Sequence, residues 1–336
     1  MSAYASPPEL SVLLPFVPRR PEQVHPFSSL VQWTRAARLW QGHGATMDTF
    51  GTFAATAGAG FRVPVGVGVT LMPLRHPLDI AHQARSLAKT TQHPVCLGIG
   101  PGGRDFQRAL LGEPYRSQIG AVGEYVDIVA RLLHGETVDT TGEYFSCHTA
   151  LPAEPVPDIE VGLGVLRPAM AQLAGRSADT AITWLTPPSY LDEVIVPGLE
   201  AGRAQRTAES TPITATDVPS RPRVVAMVPV ALDRPGRDRH DVVVASSGRH
   251  MAAPHYRDML DRAGIAISGT ERADTEQLVK GGAFVFGDAD EVHEALLDFG
   301  RAGVDEVVLN TVGVCAVSGI GAALADLGDI LSVPHP

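Results

Sequence analysis

Cysteine is scarce in this chain: three in 336 residues, Cys96, Cys147 and Cys315. An odd number at wide spacing offers no disulfide framework and points to a reducing compartment. Cys147-His148 has no second Cys/His cluster to complete a ligand set, so no metal is expected. Lysine is nearly missing, with two among the 27 basic residues, and the net charge is −10. Without a clustered basic face, nucleic acid is not an expected partner. No run reaches the roughly 18 apolar residues that span a bilayer. The opening residues MSAYASPPEL lack a basic region followed by an apolar one, so no leader is expected either. These absences together lead to the expectation of a cytoplasmic protein with no membrane partner.

What is present is a well-balanced globular composition, 44% hydrophobic and 19% charged. The stretch Pro64 to Gly103 reads as strand, loop, helix, strand and glycine loop. Its first strand, Val63 to Thr70, carries Gly66 and Gly68; its second, Pro94 to Gly100, runs into Gly102 and Gly103. Parallel αβ units of this kind place their chemistry at the carboxyl ends of the strands.

Six further short apolar runs share the pattern of buried parallel strands. They are Leu10–Phe16, Ala37–Trp40, Ile159–Val165, Thr180–Leu185, Arg223–Leu232 and Val304–Asn310. Helical patterns separate most of them: Phe27–Arg38, Asp48–Ala57, Ile119–Leu133, Ser189–Arg206, Glu291–Ala302 and Gly319–Leu331. Val122, Tyr125, Val126, Val129, Leu132 and Leu133 give one of these helices its 3.6-residue period. ETVDTTGEYFSCH reads as a small hairpin, and Thr207 to Pro222 as a surface loop. Eight strands in even alternation predict a (β/α)8 TIM barrel with insertions after strands 4 and 7, filling one domain over residues 1–336.

Two strand ends are candidates for an anion. Gly100-Pro101-Gly102-Gly103 allows backbone N–H groups to approach a ligand, as does any tight turn. It is neither a Walker loop nor a dinucleotide fingerprint, for want of the Lys-Ser/Thr and the third glycine. Gly164-Val165-Leu166-Arg167-Pro168 runs from strand into helix, where free N–H groups and the positive dipole end attract an anion. Trp40 and His43 follow strand two. Imidazole titrates near neutrality and suits proton transfer; the plainer reading makes His43 a loop residue and Trp40 a core residue. His25 and His76 are lesser candidates, His76 marking a helix start before Pro77.

Taken in order, GVGVTLMPLRHPLDIAHQARSLAKTT, VCLGIGPGG, GEYVDIVARLLHGETVDTTGEYF and VGLGVLRPAMAQLAGRSADTAI resemble the bacterial luciferase-like monooxygenase and reductase family. The likeness covers residues 10 to 190 and continues beyond only as pattern. The resemblance implies a TIM barrel binding FMN or the deazaflavin F420 at the carboxyl ends of the strands, commonly as a homodimer. It implies a ring seat at Gly68, Val69 and Thr70, where the family often has a non-prolyl cis peptide. Gly100, Gly102 and Gly103 with Gly164, Val165, Leu166 and Arg167 would then meet the ribityl phosphate. His43 would stand where the F420 branch carries its acid/base histidine, with Trp40 beside it. One departure stands out. The sugar-phosphate dehydrogenases of that branch have a glutamate just after the glycine loop, and Gly103 occupies that place; Glu113 and Tyr115 lie near but do not align.

The expected function is therefore F420-dependent hydride transfer to a C=C or C=N bond of a secondary metabolite or a dehydrated residue of a modified peptide. An FMN-dependent monooxygenase on the same barrel is the alternative, and a noncatalytic binding barrel a third. Asp233 to Gly282 is expected to wall the pocket.

Overall fold

The computed structural model describes residues 7–44, 46–209, 221–269 and 271–333. Eight parallel strands close on themselves: β1 Glu9–Leu13, β2 Leu39–Gln41, β3 Val65–Leu71, β4 Val95–Gly100, β5 Ile159–Gly164, β6 Thr180–Trp184, β7 Arg223–Leu232 and β8 Glu306–Asn310. Each pairs with its successor, and β8 pairs with β1 through Glu9↔Glu306 to Val12↔Leu309. This is a (β/α)8 TIM barrel, and all eight expected strands are in it.

The insertions fall where expected. After β4 come the helices Arg104–Leu111 and Gln118–Leu133 and the antiparallel hairpin Val138–Thr141/Ser146–Thr149. After β7 come three helices, Arg239–Ala252, Pro254–Arg262 and Glu271–Lys280. A short strand, Val285–Gly287, then pairs with the far end of β7.

Several boundaries differ from the sequence pattern. The first long helix is His25–Trp33, not Phe27–Arg38, because Thr34 turns extended at φ −123° and ψ −172° and the chain heads for β2. Helices Arg104–Leu111 and Arg239–Ala252 have no counterpart in the sequence reading. The final helix, Ile320–Ser332, follows the expected span, and a helix without counterpart, Val312–Ser318, precedes it across Gly319 at φ +86°. The helix Val196–Glu209 reaches into the expected surface loop, of which residues 210–220 lie outside the described part.

Large side chains and glycines fill the barrel unequally. Leu13, Trp40, Cys96, Ile182, Val225, Met227 and Val308 form the inner cluster. Facing them, strands β3 to β5 carry glycine in pairs: Gly66 and Gly68, Gly98 and Gly100, Gly162 and Gly164. A Cβ on Gly66 would lie 2.2 Å from the Trp40 indole; one on Gly98 would lie 2.2 Å from the Val67 carbonyl and 2.5 Å from Ile182. Side chains from neighbouring walls occupy the space these glycines vacate.

Below that layer, at the amino ends of the strands, lies a charged floor. Arg38 meets Glu160 at 2.9 Å and Glu306 at 3.6 Å, while Arg223 meets Glu160 at 3.1 Å, Glu306 at 3.2 Å and Glu9 at 2.7 Å. The Trp40 indole N–H donates to Glu306 at 2.7 Å, and Thr180 donates to Glu160 at 2.9 Å. Burial alone would push the Arg38 guanidinium down, yet Glu306 and its acidic neighbours hold it above the ordinary arginine value.

Candidate active site at the barrel mouth

The carboxyl end of β3 is irregular. Val67 pairs with Leu97 and Thr70 with Ile99, so three steps on β3 match two on β4. The extra residue is absorbed at the cis Gly68–Val69 peptide, at the position expected from sequence. It turns Val69 inward over β4 and β5: Val69 Cγ2 stands 2.7 Å from where a Gly100 Cβ would be, and Cγ1 stands 3.5 Å from the Gly164 position. Gly68 and Val69 remain half-buried at the mouth, whereas Thr70 is buried in the ladder. Gly100 is thus required by Val69 itself, before any ligand is considered.

His43 is delivered to this seat by β2. A Cβ on Gly42 would lie 3.2 Å from the Gly68 carbonyl oxygen, so the chain just before His43 runs directly against the β3 bulge. His43 is exposed and faces Phe106 across 6.3 Å between ring centroids. Partial desolvation and the Arg75 guanidinium lower its pKa, with Asp48 pulling the other way. Asp48 pairs with Arg75 and caps the helix Thr49–Gly58 through Gly51 N.

Trp40 is corrected from a catalytic to a packing role. Its side chain has no exposed surface and fills the barrel beneath Gly66 and Gly68, its polar edge tied to Glu306 on the floor. An inward position one pleat below the strand end cannot present the ring to a ligand.

The glycine loop has features of an anion cradle. Gly103 is the N-cap of Arg104–Leu111, and nothing caps that helix through a side chain. Its φ is −71°, and a Cβ there would meet nothing within 4 Å. Gln107, buried one turn on, donates through Nε2 to the carbonyls of Pro101 (3.1 Å) and Gly102 (2.9 Å) and accepts from Tyr115 N–H (3.2 Å). Holding the carbonyls toward Gln107 leaves the free N–H groups of the helix start as the loop's offer to an anion. Gly102 takes φ +71°, where glycine is favoured, and lies on the Phe106 ring.

The second strand end fits less completely. Arg167 is the N-cap of Pro168–Ser177, also without a side-chain cap. Its guanidinium, however, is paired with Asp258 at 3.0 Å. Val165 is buried, and its N–H is occupied by the Ile182 carbonyl at 2.7 Å, so it supports the loop from behind. Gly164 and Leu166 are half-buried at the rim. Arg104, exposed beside Gly103, has no ion-pair partner among the described residues and is the better placed cation. Phosphate chemistry therefore fits the β4 end well and the β5 end through its backbone alone.

The remaining candidates have structural roles. His76 caps Pro77–Thr91 by accepting from Leu78 N–H at 3.2 Å, and its other nitrogen meets the Ser146 carbonyl at 3.0 Å. His148, next to buried Cys147, lies between Asp139 at 2.5 Å and Thr141 at 3.2 Å. A surface cavity of about 290 Å³ lies beside Asp233, Arg239 and Arg272, just past the carboxyl end of β7, and one of about 400 Å³ beside Arg85 and Val156; neither is lined by His43, the β3 seat or the glycine loop. Among the described residues no helix is long and apolar enough to cross a membrane. Sequence reasoning missed Gln107 and Phe106; the signal available was the amphipathic RDFQRALL directly after the loop.

The fold and mouth together define a (β/α)8 barrel with a bulged, glycine-backed seat at β3 and a helix start at β4 that no side chain caps. The chain belongs to the luciferase-like monooxygenase family, whose model matches residues 31–306. A stretch of 149 residues is 31% identical to an F420-dependent glucose-6-phosphate dehydrogenase of Nakamurella multipartita, covering 42% of this chain and 43% of that protein. Another, of 126 residues, is 31% identical to limonene 1,2-monooxygenase of Rhodococcus erythropolis, covering 37% and 32%. The matches span less than half the length of these relatives. Among solved structures, the coenzyme F420-dependent tetrahydromethanopterin reductase of Methanopyrus kandleri superposes over 96% of this chain and 98% of its own, with TM-score 0.73 at 19% identity. At that identity the likeness concerns the fold.

Proposed function

We propose that this protein is an F420-dependent oxidoreductase, a reductase acting on a C=C or C=N bond of a secondary metabolite or a dehydrated peptide residue. The observation that carries the reading is His43 beside the Gly68–Val69 seat, brought there by the contact of Gly42 with the Gly68 carbonyl. When bound, the deazaflavin supplies the hydride. Gly68 and Val69 back its ring, Trp40 holds them rigid from beneath, and the helix start at Gly103–Arg104 with Gln107 behind it takes the phosphate. His43 passes the proton that must accompany hydride transfer; desolvation and Arg75 lower its pKa, which favours release of that proton over its storage. The absence of a carboxylate at Gly103 argues against a sugar-phosphate substrate even though one relative acts on glucose 6-phosphate.

The same seat suits FMN, and the likeness to limonene 1,2-monooxygenase favours that second reading. Separate titrations of the purified protein with F420 and FMN, followed by absorbance and calorimetry, discriminate. Binding of FMN with none of F420 overturns the proposal, and binding of neither supports a noncatalytic barrel. With F420 bound, His43→Ala lowers turnover by about 10²- to 10⁴-fold with cofactor affinity kept. Unchanged turnover rejects His43 as the proton carrier.

A further inference from the structure

Trp184, at the carboxyl end of β6, packs on the same inner cluster as Val69 of the β3 seat and is backed by the helices inserted after β7. It lies two residues beyond inward-facing Ile182 and remains half-buried. Leu185 then takes φ +55°, an uncommon conformation for a branched residue, and its N–H bonds to the Met227 carbonyl at 3.3 Å. That turn fixes the Trp184 ring at the strand end. Against it lies His250, from the last turn of Arg239–Ala252, with ring centroids 5.4 Å apart and planes inclined by 31°. Tyr256, on Pro254–Arg262, meets His250 edge-on at 4.9 Å.

The stacked rings themselves carry no charge, although exposed Arg249, the residue before His250, has no ion-pair partner among the described residues. Burial pushes His250 down to about 4, with His255 and Arg249 acting in the same direction, so the imidazole is neutral at physiological pH. The Arg167 guanidinium beside it is held by Asp258, which also takes Arg262 at 3.2 Å. The Arg257 Nε donates to the Met251 carbonyl at 2.8 Å.

We propose that Trp184 and His250 form the substrate-facing wall of the site, and that they select an uncharged, planar, conjugated substrate rather than a phosphorylated one. Flat π surfaces stack on indole and imidazole without an ionic partner. A phosphate would find Arg167 and Arg262 already engaged by Asp258, leaving Arg249, exposed outside the stacked rings, as the arginine to receive it. The inference rests on the mouth being the reaction site, as proposed above.

Isothermal titration calorimetry with two probes tests it, using the purified protein with and without saturating F420. Coumarin, neutral and planar, is expected to bind, and glucose 6-phosphate to give no heat of binding at the same concentrations. Trp184→Ala and Trp184→Leu are each expected to weaken coumarin about tenfold, Trp184→Phe to keep it within about twofold, and F420 affinity to stay unchanged in all three. Trp184→Leu retains apolar bulk and serves if the alanine variant does not fold. The proposal is overturned if coumarin does not bind, if it binds Trp184→Leu as well as it binds wild type, or if glucose 6-phosphate binds more tightly. Failure of the cofactor reading registers separately, as absent F420 binding whatever coumarin does.

Discussion

The two ends of the barrel are built on opposite terms. At the floor, the first residues of the strands bring Arg38, Arg223, Glu160, Glu306 and Glu9 together so that every charge has an opposite partner. At the mouth, the last residues of the same strands leave groups open. His43 has no hydrogen bond among the described residues, two helix starts lack side-chain caps, and the buried amide of Gln41 and the Nδ2 of Asn310 are unpartnered. The difference separates stability from function along a single set of strands: the paired charges hold the barrel, although Arg38 keeps Nε and Nη1 without a hydrogen bond, and the open groups of the mouth are available to a ligand.

The largest effect expected from breaking the contrast lies at the floor. Glu306→Ala strips a fully buried carboxylate from Arg38, Arg223 and the Trp40 indole at once. Removing one partner of a buried ion pair costs about 3–5 kcal/mol, measured as loss of urea unfolding free energy. The mouth should respond only through the loss of folded protein, with cofactor affinity per folded molecule unchanged.

Next comes pH, where the two ends lose stability in different windows. His250 is neutral in the fold near pH 4 and above, while the unfolded imidazole protonates at about 6.5. As pH falls, the unfolded chain takes the proton first, so stability present above about pH 6.5 declines progressively toward pH 4, by up to about 3 kcal/mol. Glu160 has its carboxyl held low, burial opposing but Arg38 and Arg223 prevailing, so its contribution is full above the ordinary carboxylate pKa and is lost as pH falls through that range and below. Denaturant titrations from pH 7 to 2 should show His250→Gln flattening the decline above about pH 4 and leaving the one below it. A wild-type curve flat between pH 6.5 and 4 would reject the assignment.

How much of this was legible beforehand follows from the length scale of each signal. Eight buried strands announce themselves as local apolar runs, and the β3 seat and glycine loop lie within one short stretch. The floor was invisible because each member is a lone charge at a strand start, a normal place for a polar boundary residue; only barrel closure brings Arg38 and Glu306 together. Trp40 was misplaced for a related reason: sequence located it near a strand end but not one pleat below the rim. Arg167 was expected to meet phosphate because nothing in the sequence pairs it with Asp258, which lies far along the chain on the inserted helix Pro254–Arg262.

Glycines sharpen the contrast further, since the same residue type does different work at two depths. Gly98→Ala forces a methyl to within 2.2 Å of the Val67 carbonyl and should destabilise by about 1–3 kcal/mol or more, read as a fall in Tm. Gly103→Ser meets open space, and its hydroxyl can accept from the helix start it now caps, so stability should hold or rise by a few tenths of a kcal/mol. The same hydroxyl competes with a phosphate for those N–H groups, so cofactor affinity should drop severalfold. A variant more stable yet weaker in binding identifies the loop as an anion site. Loss of both together would make it an ordinary turn.

The smallest effects distinguish two arginines that sequence alone treats alike. Arg104, at the uncapped β4 helix start, has no ion-pair partner among the described residues, whereas Arg167 is already paired with Asp258 at 3.0 Å. A free guanidinium gains a charge-assisted bond to an incoming phosphate; a paired one must first give up its carboxylate. Arg104→Ala should therefore weaken F420 or FMN binding about tenfold, near 1.4 kcal/mol, with the loss shrinking at high salt. Arg167→Ala should change it by no more than about twofold, since removing the arginine releases Asp258 to Arg262 rather than a contact to ligand. The reverse ranking in calorimetry would transfer the anion site from β4 to β5, and the Arg167–Asp258 pair would then have to open when cofactor enters.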